Sequence, residues 1–86
     1  MALYMDVHNS LPDGTTAADV AGAHAADLQV QGRFGVRYLN YWVDVGAGKV
    51  FCLIEAPDAD SAHAVHREAH GLVADEIYPV KQGQCT

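Results

Sequence analysis

The sequence predicts one small α+β domain with two helices packed on one face of a four-stranded antiparallel sheet. Three observations predict it. Alternating or β-branched segments occur four times, near residues 3–8, 36–44, 49–55 and 76–80. Two segments with apolar residues at three- and four-residue steps separate the first strand from the second and the third from the fourth. Turn chemistry rich in Gly, Pro and Asp punctuates the chain between them.

The first strand is read from Leu3, Met5 and Val7 alternating with Tyr4, Asp6 and His8. Leu11-Pro12-Asp13-Gly14 makes a turn, and Thr15 or Thr16 can cap the helix that follows. That helix runs from Thr16 to about Gln31, with Ala17, Val20, Ala21, His24 and Leu28 on one face and Gly32 as its stop. Val36 to Asp44 and Lys49 to Glu55 flank Gly46-Ala47-Gly48 and read as a hairpin. Ala56-Pro57 ends the third strand, and Asp58 or Asp60 caps a second helix that runs to about His70, where Gly71 stops it. Glu76 to Val80 is a short last strand, at an edge because of Pro79. The order β-α-β-β-α-β is the ferredoxin-like split pattern. Right-handed crossovers then bring both helices to one face. The domain spans residues 1–80, and 81–86 form a polar tail.

Composition narrows the function classes. The chain has 86 residues and a net charge of −6, and its five Lys and Arg form no basic run. The electrostatic footprint of a nucleic-acid binder is therefore missing. No apolar run approaches the ~20 residues that span a bilayer, and no signal peptide is evident, so the expected compartment is the cytoplasm. Cys52 and Cys85 form no Cys-x-x-Cys pair, which removes zinc-finger and thioredoxin-like readings. No phosphate-cradling glycine motif occurs. Half of the residues are hydrophobic in a chain too short to bury them all, which favours a homodimer.

Chemistry-bearing residues gather in three places. With Leu3, Met5 and Val7 turned to the helices, Asp6 and His8 fall on the open sheet face, near Glu55 and within a surround of Tyr4, Trp42, Phe51 and Leu53, with Tyr38 on the same face. This half-apolar face suits a second copy of the chain. The trio Asp6, His8 and Glu55 suits a divalent metal, acid–base work, or a polar cluster at an interface. On the second helix, His63, His66 and His70 fall within an arc of roughly 60°, either a solvated flank or a two-histidine metal site. His24 sits in the apolar stripe of the first helix, where it can be a core histidine or approach His66, with Asp27 as ligand or orienter. Cys52 points beneath the helices, as a small hydrophobe or a soft ligand.

The stretches KVFCLIEAP (49–57), His66…His70-Gly71…Ala74-Asp75-Glu76-Ile77, Asp6-Val7-His8 and Ala23-His24-Ala25-Ala26-Asp27-Leu28 resemble a bacterial family of small nickel-binding proteins, best known from actinobacteria. That family lies within a larger group of ferredoxin-like domains. The resemblance covers nearly the whole chain. It implies a cytoplasmic homodimer that binds nickel, for sequestration or nickel response; it implies no established catalytic activity, and the expectation is that the chain is not an enzyme. The metal-binding residues it points to are His8, His24, His66 and His70, with Asp6, Asp27 and Glu55 as oxygen ligands. These residue types also accept zinc, copper and cobalt. The competing expectation is a dimeric enzyme or small-molecule binder that uses Asp6, His8 and Glu55 on the open face beside Trp42.

Overall fold

The computed structural model describes residues 1–85; Thr86, the end of the expected tail, lies outside them. Its strands are β1 (Ala2–His8), β2 (Arg37–Asp44), β3 (Lys49–Ala56) and β4 (Glu76–Pro79), and its helices are α1 (Ala17–Val30) and α2 (Ala59–Ala69). All pairings are antiparallel and the sheet order is β2-β3-β1-β4, the ferredoxin-like arrangement expected. β4 lies at an edge, where Pro79 is tolerated.

Each helix begins on a side-chain cap. Thr16 accepts a hydrogen bond from the Asp19 N–H at 3.1 Å, and its own N–H donates to Asp19 Oδ2 at 2.9 Å, closing a capping box. Asp58 Oδ1 accepts from the Ser61 N–H at 2.8 Å at the start of α2. Replacing Thr16 by alanine is expected to cost about 1 kcal/mol, read as a lowered urea midpoint with an unchanged slope. Gly32 does not end α1, contrary to expectation. The chain tightens into a 3-10 turn over Gln31–Phe34, and Gly35 stops it at φ 67°, a left-handed conformation that favours glycine.

The core lies between helices and sheet. It contains Val20 from α1, Val36 just before β2, Val50, Cys52, Ile54 and Ala56 from β3, and Ala62 and Val65 from α2. A bulge in β2 changes which residues reach it. Tyr38 stands opposite Ile54 and Asn40 opposite Leu53, so Leu39 is an extra residue. Both Tyr38 and Tyr41 therefore face inward, although strict alternation puts Tyr38 outside. The Tyr38 hydroxyl donates to the Ala62 carbonyl at 3.0 Å, tying β2 to α2. The opposite sheet face carries Met5, Val7, Phe51 and Leu53, flanked by the exposed Trp42 and Tyr78. No helix among the described residues is long and apolar enough to cross a membrane.

Candidate metal centre

β1 is turned over relative to the sequence expectation. Its register sets Asp6 opposite Cys52, His8 opposite Val50 and Tyr4 opposite Ile54. Directly paired residues share a face. Since Val50, Cys52 and Ile54 point to the helices as expected, Asp6 and His8 point there too, and Leu3, Met5 and Val7 lie on the open face. Asp6 is fully buried and His8 is 9% exposed. Glu55 is separated from them by the sheet; it pairs with Arg37 at 3.3 Å on the far side. The expected Asp6–His8–Glu55 cluster does not exist.

α1 is also rotated by about one residue from the expected stripe. Asp27 is fully buried and Leu28 is 53% exposed. Alanines surround this helix, so its apolar pattern barely favours one phase, and a polar contact decides it. That contact comes from α2. His66 is not on a solvated flank: it is 1% exposed and packs at the seam beside Ala62 and Val65.

His66 lies between the two carboxylates. Its Nε2 is 3.0 Å from Asp6 Oδ2, and its Nδ1 is 2.9 Å from Asp27 Oδ1. A carboxylate only accepts, so the ring donates at both nitrogens and is an imidazolium. Burial alone lowers its pKa, but the hydrogen bonds from Asp27 and Asp6 and their charges outweigh that and push it up to about 9. His70 Nδ1 accepts from the Leu72 N–H at 3.1 Å, so its Nε2 carries the proton and donates to Asp27 Oδ1 at 3.0 Å. His66 Nδ1 and His70 Nε2 stand 3.1 Å apart because both converge on that oxygen. Burial lowers the pKa of both His8 and His70, against the pull of Asp6 and Asp27 respectively.

His24 occupies the neighbouring position. Its Nδ1 donates to the Val20 carbonyl at 3.1 Å, which leaves Nε2 to accept from the Cys52 thiol at 3.1 Å. The ring stacks on Tyr41, centroids 4.0 Å apart and planes at 13°. Burial and the nearby Asp6 push the Cys52 thiol well above its usual range, so it is a protonated donor here. His63 lies apart from the cluster, its Nδ1 buried without a hydrogen-bond partner.

Two sets of ligand-type atoms converge. Donor atoms of Asp6, His8, Cys52 and His66 lie within 4.8 Å of one another, as do those of Asp27, His66 and His70. His66 belongs to both, one nitrogen facing each. Asp6 Oδ1 and Asp27 Oδ2 are buried with no hydrogen-bond partner among the described residues. His8 Nε2 stands 3.6 Å from Asp6 Oδ1, beyond a hydrogen bond. Two carboxylates facing one imidazolium leave a negative excess, and burying a carboxylate oxygen unpaired is costly. A divalent cation in place of a His66 proton would neutralise the excess and give those oxygens a partner. The donor set thus fits a divalent transition metal. Of the residues expected from the sequence, the fold brings Asp6, His8, His24, Asp27, His66 and His70 to one seam and leaves out Glu55. Strand register was the missing signal for Asp6 and His8, which it sets on the same face as the inward-pointing Cys52.

Comparison with known proteins bears on this centre. A family model described as nickel responsive protein SCO4226-like matches residues 4–80. The crystal structure of SCO4226 from Streptomyces coelicolor A3(2), an actinobacterium, is similar with a TM-score of 0.88 at 37% sequence identity, over 96% of this chain and 100% of that one. No curated protein matches.

Proposed function

Because the chain belongs to the SCO4226-like family of nickel responsive proteins, we propose that it is a non-catalytic, cytoplasmic nickel-binding homodimer that serves nickel sequestration or response. The observation that carries the metal reading is the pair of buried, unpartnered oxygens, Asp6 Oδ1 and Asp27 Oδ2, on either side of His66. Asp6, His8 and Cys52 would hold an ion through the Nε2 side of His66, and Asp27 and His70 would hold one through the Nδ1 side. A neutral imidazole has one lone pair, so His66 serves one side at a time. Carboxylate and imidazole together suit nickel; zinc and cobalt are accepted by the same donors, and copper binds such a set most tightly.

Native mass spectrometry of metal-stripped protein, titrated with nickel and with zinc, tests this reading. A small integer number of nickel ions per chain at saturation is expected, with uptake lowered in His70→Ala. A statistical smear of adducts, or uptake unchanged in His66→Gln and His70→Ala together, would rule the buried centre out.

The dimer reading is supported by the uncovered sheet face of Met5, Val7, Phe51 and Leu53 between Trp42 and Tyr78. Trp42→Glu places a charge at the β2 edge of that face at a side chain that is 52% exposed, so it leaves the fold intact. Sedimentation is expected to show a dimer become a monomer. An unchanged mass would mean that this face is not the interface.

A further inference from the structure

A cavity of about 190 Å³ opens beside the metal centre, between the loop after β1, the first turns of α1 and the end of α2. Four of the five histidines (His8, His24, His66 and His70) border it, while Leu11, Val20 and Leu72 form apolar wall. The loop that makes one wall is held in place by the Leu11 N–H donating to the Gly48 carbonyl at 2.9 Å. Neither lysine nor arginine lines the cavity. Asp19 at its edge is already engaged in the capping box of α1.

Size, charge and unsatisfied polarity together define an occupant. An apolar cavity of about 150 Å³ is enough to take up benzene, so this space holds one aromatic ring. The two carboxylates behind His66 outweigh its single positive charge, and no lysine or arginine lines the cavity, which disfavours an anion. His24, His66 and His70 have both ring nitrogens engaged. His8 is 9% exposed and, among the described residues, makes no hydrogen bond through its ring. It is therefore the side chain left to meet a polar atom of a ligand.

We propose that this cavity is a binding site for an uncharged single-ring aromatic molecule with one N–H or O–H group, the ring against Leu11, Val20 and Leu72 and the polar atom on His8. The site goes beyond the nickel reading and does not depend on it, because walls and floor belong to the metal-free chain.

The test uses ¹⁵N-labelled, metal-free protein titrated with pyrazole and with phenol, which separate a ring nitrogen from a hydroxyl, and with benzoate as the anion. Saturable one-to-one shifts centred on His8, Ala23 and Leu72 are expected for pyrazole or phenol, with benzoate at least about tenfold weaker. Ala23→Phe fills the cavity from α1, and Leu72→Trp, at a residue 46% exposed, fills it from the rim should the first variant misfold. Either is expected to weaken binding at least about tenfold, as is His8→Phe, which keeps a ring but removes its polar atoms. The proposal is overturned if no probe saturates, if benzoate binds as well as phenol, or if the filled variants bind as the parent does. With the metal absent throughout, a chain that takes up no nickel can still pass this test, so the two readings fail separately.

Discussion

Replacing His66 by alanine is expected to cost the metal-free protein about 3–5 kcal/mol and to abolish nickel uptake at the buried centre. Among the described residues, the ring is the only cation contacting Asp6 Oδ2 and Asp27 Oδ1, both at a fully buried carboxylate. Without it Asp6 loses its hydrogen-bond partner and Asp27 keeps only His70, so two buried carboxylates lack their counter-charge and the seam between β1, α1 and α2 loses its central polar contact. A loss of that size is comparable to the whole stability of a small domain. His66→Gln is expected to be milder, because its amide can still donate to one aspartate. Denaturant melts of the two variants, with nickel uptake measured on whatever remains folded, check both parts. An alanine variant as stable as the parent would mean that the carboxylates find other partners.

Nickel affinity is expected to rise about tenfold per pH unit between roughly pH 6.5 and 9, because one His66 proton must leave before that ring can ligate. The folded-state pKa of about 9 sets the upper limit of this window. The stability of the metal-free chain should move in the opposite direction over the same range. A histidine whose pKa is raised on folding stabilises fully below its unfolded value near 6.5, and that contribution is lost as pH climbs through about 9. Its size is on the order of 3 kcal/mol. His8 and His70 have lowered pKa values, so they destabilise the fold as acid protonates the unfolded chain below about pH 6.5. The metal-free protein should thus be most stable near pH 6.5–7, while its metal affinity is still climbing. Urea midpoints and nickel titrations on one pH series would show the divergence; parallel curves would contradict an imidazolium at His66.

The strand and helix order was legible in the sequence because turns, caps and periodicities agreed on it; each cap was narrowed to two residues, Thr15 or Thr16 and Asp58 or Asp60, of which Thr16 and Asp58 serve. The family was legible in the histidine-bearing motifs, and the matched model over residues 4–80 agrees. The orientation of β1 was not. Alternation groups Leu3 with Met5 and Val7, and Asp6 with His8, but does not say which group faces the helices. Hydrophobicity favoured the wrong one, because this sheet is apolar on both faces. Register against Val50, Cys52 and Ile54 decided it. Asp27 was expected as ligand or orienter near His66, but the rotation of α1 that buries it was not legible, for a related reason: an alanine-rich helix leaves its rotation to the polar contact with His66. The Tyr38/Asn40 bulge carries no local signature in the residues around it, and it alone lets two tyrosines share the inner face.

The buried cluster draws side chains from β1, α1, β3 and α2, four segments far apart along the chain. An ion held there binds the folded chain and has no comparable site in the unfolded one. By mass action, free metal at 100 times its dissociation constant would add about 2.7 kcal/mol to folding. In a domain this small, the melting temperature becomes a readout of free metal concentration. Cellular turnover of the protein would then follow nickel supply without any dedicated sensor, because starved chains would open, and be degraded, more often than loaded ones.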